Sequence, residues 1–176
     1  MARAFISVGS NVNPERNVPA ALRLLSRGVR TMRISTFYAT EPLGHPEQPT
    51  FYNGVVEVET DFPPHDLKHG LLRCIEDQLG RQRGDDRYAP RTIDLDVLLY
   101  DDVVADDEDL RLPDPHIFER PFLATALREL CPDLVLPGSE QRIADVAARL
   151  DQSGMQPLPE FTRLLRKEAS NGYCEG

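Results

Sequence analysis

The spacing of apolar and polar positions changes several times along the chain, and each change marks an element. Phe5-Ile6-Ser7-Val8 is rich in strand formers and ends at Gly9-Ser10-Asn11. From Pro14 onward Val18, Ala21, Leu22 and Leu25 recur at helical spacing, so the start reads as strand, turn and helix, and Gly9-Ser10-Asn11 is either a turn that offers N–H groups or polar side chains to a ligand or a helix entry with a capping residue. Met32 to Tyr38 alternates Ile34 with Ser35 and predicts a second strand. A loop from Thr40 to Thr50 follows, punctuated by Pro42, Gly44, Pro46 and Pro49. Tyr52 to Thr60 sets Val56 and Val58 against Glu57 and Glu59, a third strand with one wet face. Pro63-Pro64 then opens a helix whose Leu67, Leu71, Leu72, Ile75 and Leu79 recur at three- and four-residue steps. Gly80 stands where helices stop.

After a polar stretch from Arg81 to Arg91, Thr92 to Tyr100 alternates at first and then turns apolar, as a buried strand does. The order βαββαβ predicts an α+β fold with a ferredoxin-like core, an antiparallel sheet with two helices on one face. Phe122 to Leu130 and Ile143 to Leu150 predict two further helices. A single domain is expected over residues 1–150, with 151–176 as a C-terminal extension whose last few residues are loose.

Composition removes several classes of protein. The chain has 176 residues, 40% hydrophobic and 28% charged, which excludes a disordered, collagen-like or disulfide-held chain. Its formal net charge of −9 argues against nucleic acid or an anionic membrane as partner. Apolar runs such as Val97-Leu98-Leu99 are too short to span a bilayer, and the start lacks the apolar region of a signal peptide, so a cytoplasmic location is expected. Cys74, Cys131 and Cys174 are widely separated and odd in number, as free thiols are.

The sharpest chemical feature is Asp94-Leu95-Asp96. Residues two apart on a strand face the same way, roughly 6.5 Å apart, so both carboxylates leave one face while Ile93, Leu95 and Val97 enter the core. Carboxylates so placed repel unless a cation joins them, and one or two Asp plus substrate phosphates is how Mg²⁺ is usually held. Directly before them lie Arg81, Arg83, Arg87 and Arg91 in an acidic protein. Guanidinium groups bind phosphate oxygens bidentately, so arginines beside a Mg²⁺ site suit a polyphosphate. A solvated strand face and surface pairing with Asp85 and Asp86 are the plain alternatives. Neither a P-loop nor a G-x-G-x-x-G pattern is present. The Thr40 loop through Phe51-Tyr52-Asn53 combines rigid Pro, polar Thr and Asn, and aromatics, a mixture suited to a flat heterocycle. Alternation puts Phe51 and Tyr52 on opposite faces. His116, between a proline-rich turn and the next helix, is a candidate phosphate contact.

Taken together, Gly9-Ser10-Asn11, Phe37-Tyr38-x-Thr40-x-Pro42-Leu43-Gly44, Phe51-x-Asn53, Gly80-Arg81-x-Arg83 and Arg87-x-x-Pro90-Arg91-Thr92-Ile93-Asp94-Leu95-Asp96 resemble the 6-hydroxymethyl-7,8-dihydropterin pyrophosphokinases of folate biosynthesis. The resemblance runs from about Ala4 to about Pro137 and continues through Pro115-His116 and Arg120-x-Phe122. It implies transfer of the β,γ-pyrophosphoryl group of ATP to the pterin's hydroxymethyl oxygen, with release of AMP. It further implies two Mg²⁺ on Asp94 and Asp96, Arg81 and Arg91 on the transferring phosphates, and Arg83, Tyr88, His116 and Arg120 on ATP. Thr40, Pro42, Leu43 and Asn53 would bind the pterin edge, with Phe51 and Phe122 sandwiching its ring. Tyr88 stands where some members carry Trp, and Phe51 where others carry Tyr. The expected partners are these two small molecules alone, and a monomer is expected. A noncatalytic nucleotide-sensing module and a nucleotidyl transferase releasing pyrophosphate are the rival classes.

Overall fold

The computed structural model describes residues 1–172, so Cys174 lies outside the described residues; Cys74 and Cys131 are free thiols. In chain order the elements are β1 (Ala2–Ser10), α1 (Pro14–Leu25), β2 (Arg30–Ile34), β3 (Tyr38–Thr40) and β4 (Phe51–Thr60). A π-helical stretch (Asp66–Leu72) runs directly into α2 (Arg73–Gln78) and is followed by β5 (Asp94–Tyr100) and the short strands β6 (Ala105–Asp106) and β7 (Arg111–Leu112). A 3₁₀ turn (Pro115–Phe118), α3 (Pro121–Leu130), α4 (Ile143–Arg149), β8 (Met155–Pro157) and α5 (Pro159–Gly172) complete the described chain.

The main sheet is antiparallel, in the order β5-β1-β4-β3-β8, with β2 also paired to β4. The strand predicted over Met32 to Tyr38 is thus two strands. At Ser35 the ladder gives way to a side chain: the Ser35 N–H donates to the Val55 carbonyl at 2.9 Å, while the Ser35 hydroxyl accepts the Val55 N–H at 2.9 Å. Phe37, fully buried, then packs on Gly54, where a Cβ would meet its ring at 2.5 Å.

Period-two alternation sorts the apolar residues onto two faces. Ala4, Ile6, Val8, Val56, Val58, Leu95 and Val97 meet Val18, Ala21, Leu22 and Leu25 of α1 and Leu67, Leu72 and Ile75 of the second helical segment. Phe5, Val55, Leu98 and Leu99 meet α3 and α4 instead. A one-residue shift in the β1–β5 register, with Phe5 opposite Leu99 and Ile6 opposite Val97, turns two successive leucines to that second face. Helices therefore cover both faces, not one. Glu57, expected on a wet face, is buried between the guanidinium groups of Arg3 and Arg33, at 2.5 and 2.6 Å, on the face where α3 packs against β4.

The segment set apart after Leu150 shares this architecture. Thr40 of β3 lies opposite Met155 of β8, Leu165 of α5 enters the first core, and the buried Thr162 hydroxyl accepts the Phe37 N–H at 2.9 Å. The looseness expected of the last few residues falls on 173–176, outside the described residues.

Candidate active site

α3 and α4 cover the second face of the sheet only at the Phe5 and Val55 end. The rest of that face is the floor of a cavity of about 690 Å³, formed by Ser7 and Gly9 of β1, Thr40 of β3, Phe51 and Asn53 of β4, and Asp94, Asp96 and Leu98 of β5. One wall is the turn and helix start that carry Asp114, His116, Glu119, Arg120, Pro121, Phe122 and Leu123. The other consists of Glu41, Leu43, Arg87, Tyr88, Ala89 and Arg91 from two loops, with Gly154 and Met155 at the rim.

Register sets the floor. Gly9 lies between Asn53 on one side and Asp94 on the other, and Ser7 lies opposite Asp96. A Cβ on Gly9 would stand 2.4 Å from Asn53 Oδ1, so glycine is what allows that amide to cross the floor and donate to the Thr40 hydroxyl at 2.7 Å. Phe51 faces the cavity, while Tyr52 turns to the other side, edge-on to Phe161 with ring centroids 5.1 Å apart.

Asp94 receives Arg81 Nη1 at 2.7 Å on one oxygen and Arg91 Nη1 at 2.5 Å on the other. Burial pushes its pKa up, but the two guanidinium groups, Arg91 above all, outweigh this and hold it below the ordinary carboxylate value. Asp96 goes the other way. Burial raises it, Lys68 at 3.3 Å opposes, and the nearby carboxylates of Asp114 and Asp94 add to the rise. Asp114 is buried and accepts both the His116 N–H at 2.8 Å and His116 Nδ1 at 2.9 Å, which commits Nδ1 as a donor and leaves Nε2 as the ring's other nitrogen. Both acidic side chains of Asp-Leu-Asp are about one-third exposed, at 33% and 36%, and present hard oxygen donors on one face. This donor set fits a hard cation that keeps water and phosphate oxygens in its remaining positions. Among the described residues there is no cluster of three or more His, Cys, Asp or Glu side chains arranged to hold a metal ion by themselves.

The two loops of the far wall are fastened to each other. The Asn11 amide donates to Gln48 Oε1 at 2.9 Å and its oxygen accepts the Arg91 N–H at 2.8 Å, while Gln48 donates to the Tyr88 carbonyl at 3.0 Å. His45 Nε2 and Asp86 lie 2.8 Å apart across the same junction. Asn11 is therefore a junction between loops rather than a helix cap, and α1 has no side-chain cap hydrogen bond. Tyr88 rests against Gly44, with the Arg87 guanidinium 4.8 Å from its ring centroid.

Of the residues singled out from the sequence, Thr40, Leu43, Phe51, Asn53, Tyr88, Arg91, Asp94, Asp96, His116, Arg120 and Phe122 meet in this one cavity. Pro42, Arg81 and Arg83 are not part of its lining. Arg81 stands behind Asp94 and is shared with Glu76, and Arg83 is held by Glu76 and Asp77. Sequence reasoning did not assign Glu76, a buried carboxylate that also accepts the Leu95 N–H at 2.8 Å, nor Asp114, Lys68, Gly154 and Met155. Asp114 had a visible signal, being two residues before His116; the others are brought in only by folding.

The chain matches the 7,8-dihydro-6-hydroxymethylpterin-pyrophosphokinase (HPPK) family over residues 5–132. It is 38% identical over 159 residues to the 2-amino-4-hydroxy-6-hydroxymethyldihydropteridine pyrophosphokinase of Methylorubrum extorquens, covering 89% of this chain and 98% of that one. The enzyme of the same name from Pseudomonas aeruginosa is 36% identical over 160 residues, covering 89% of this chain and 97% of that one. Among solved structures, wild-type HPPK-DHPS of Plasmodium falciparum with pterin and p-hydroxybenzoate superposes with a TM-score of 0.67 at 14% identity, covering 84% of this chain and 41% of that one, a likeness of fold. By the extent of these matches the chain belongs to the 7,8-dihydro-6-hydroxymethylpterin-pyrophosphokinase family.

Proposed function

We propose that the chain transfers the β,γ-pyrophosphoryl group of ATP to the hydroxymethyl oxygen of 6-hydroxymethyl-7,8-dihydropterin, in folate biosynthesis. The observation that carries this reading is that one cavity joins an aromatic and amide slot to an acidic pair flanked by arginines. A flat neutral ring and a polyphosphate thus have adjacent places. In the reaction the pterin oxygen bonds to the β-phosphorus, and the bond from that phosphorus to the bridging oxygen of the α-phosphate breaks. AMP leaves with the bridging oxygen, and the hydroxyl proton passes to solvent.

Phe51 and Phe122 stack on the ring, while Thr40, Asn53, Leu43 and the adjoining Pro42 fix its edge. Arg81 and Arg91, the two partners of Asp94, act on the transferring phosphates, with Arg83, Tyr88, His116 and Arg120 on ATP. Asp94 and Asp96 would hold two Mg²⁺, which would supply charge neutralisation on the phosphate oxygens. The fastened loops of residues 41–50 and 81–91 shut out water, which competes with the pterin hydroxyl as acceptor. In this reading residues 1–150 supply the catalytic groups of a cytoplasmic monomer, with Gly154 and Met155 of the following segment at the cavity rim. No helix among the described residues is long and apolar enough to cross a membrane.

The test is product analysis after incubation with ATP, Mg²⁺ and the reduced pterin. AMP and pterin diphosphate in equal amounts are expected. ADP, free pyrophosphate or no turnover would refute the assignment, pyrophosphate pointing to nucleotidyl transfer and binding without turnover to a sensing module.

A further inference from the structure

β5 is an edge strand, so long side chains from the π-helical stretch on the first face and from the loop after α2 can pass around it to the carboxylates on the second. Arg81 does this for Asp94, and Lys68 does it for Asp96. The chain has only two lysines among its twenty Lys and Arg, and Lys68 lies within the π-helical stretch. A π turn inserts an extra residue into the helical register, shifting which side chains reach a neighbouring strand, and such turns occur often at functional sites.

The two carboxylates are neutralised differently. Asp94 is gripped on both oxygens by rigid guanidinium forks, at 2.7 and 2.5 Å. Asp96 has Lys68 Nζ at 3.3 Å from Oδ1, which also accepts the Val97 N–H at 2.9 Å; among the described residues Oδ2 has neither a hydrogen bond nor an ion pair. An ammonium is a point charge on a flexible stem that can withdraw. It sits beside an oxygen open to a metal ion, with its own side chain 28% exposed.

We propose that Lys68 is a built-in counter-ion of Asp96 that opposes divalent cation binding in the free enzyme, so that the metal is taken up with the nucleotide rather than before it. The proposal rests on the reading of Asp96 as a metal ligand. Without the ammonium, Asp96 is left facing Asp94 and Asp114 and attracts a divalent cation more strongly. With nucleotide bound, phosphate oxygens share the cation and the contribution of Lys68 shrinks.

Mn²⁺ titration of the full chain, followed by electron paramagnetic resonance without nucleotide, measures this directly. Lys68→Met is expected to bind Mn²⁺ roughly three- to fivefold more tightly than wild type, the scale set by a partly exposed ion pair, and Lys68→Arg to stay within about twofold. With a non-hydrolysable ATP analogue present, the gap between Lys68→Met and wild type should close to about twofold or less. Unchanged or weaker Mn²⁺ binding by Lys68→Met would overturn the role of Lys68. Asp96→Asn is run in parallel and should lose most Mn²⁺ binding; if it does not, the reading of Asp96 as a ligand fails, separately. Lys68→Gln gives a second reading of the same titration should the Met variant not fold.

Discussion

At the scale of single residues, Arg91 joins chemistry to architecture. Its backbone N–H is held by Asn11, its guanidinium binds both Asp94 and the Arg87 carbonyl, and it faces the cavity. Lysine keeps the charge but not the two-pronged grip. Arg91→Lys should therefore slow the single-turnover chemical step on the order of 10²-fold while changing ATP affinity much less, as removal of a group that stabilises the transition state does. Rapid-quench measurement with both substrates saturating decides it, and a rate within a few-fold of wild type would remove Arg91 from the chemistry. His45 is a second case. Its hydrogen bond to Asp86 raises its pKa above the ordinary histidine value, and Asp86 is lowered by its backbone hydrogen bond from Tyr88 and then by His45. A histidine raised in this way couples the two loops while it is protonated, so the coupling is full below the ordinary value and is lost as pH rises through the raised one. Proton NMR of the ring should show a midpoint above that of a free histidine, and Asp86→Asn should bring it back down. An unmoved midpoint in that variant would separate the two residues.

At the scale of elements, α5 fixes the approach to β3 and hence to Thr40. Thr162 accepts the Phe37 N–H and donates to the Leu158 carbonyl at 2.8 Å, while Phe161 sits edge-on to Phe37 with centroids 5.7 Å apart. Replacing the hydroxyl by a methyl group leaves a buried N–H without a partner, which costs about 1–3 kcal/mol. Thr162→Val should show that loss in urea unfolding with an unchanged slope. A variant as stable as wild type would mean that α5 merely lies on the surface there. Most elements were legible from periodicity because the core reads it directly: Ile93, Leu95 and Val97 are buried as alternation requires, and Gly80 ends its helix at a φ of 78°. The break at Ser35 was not legible, since a serine hydroxyl standing in for a backbone group leaves no trace in the alternation.

At the scale of the whole molecule, an acidic chain of net charge −9 meets a polyphosphate at short range through Arg87, Arg91 and Arg120, in a cavity that also carries Glu41, Asp94, Asp96, Asp114 and Glu119. Attraction for ATP is therefore local and screened by salt, whereas stacking of a neutral pterin is not. Between about 0.1 M and about 1 M salt the screening length falls from about 10 Å to about 3 Å. ATP affinity should fall on the order of tenfold over that range and pterin affinity by about twofold or less. Calorimetry in a chloride series reads both, and an equal fall for the two ligands would contradict a local arginine wall.

The sequence by itself determined the acidic pair on β5, the arginine run before it, the aromatic and amide residues at the start of β4, and the strands and helices with a clear apolar period from β1 to α4, because each depends on spacing within one segment. Tertiary structure decided the rest. Only packing on both faces showed that the cavity is the part of the sheet that α3 and α4 leave bare. Only the edge position of β5 brought Lys68 and Arg81 around to carboxylates on its far side. Which cation meets which carboxylate, and whether Arg81 faces substrate or stands behind Asp94, depends on contacts between residues distant in the chain or on opposite sides of a strand, and these leave no periodic signal for a sequence to carry.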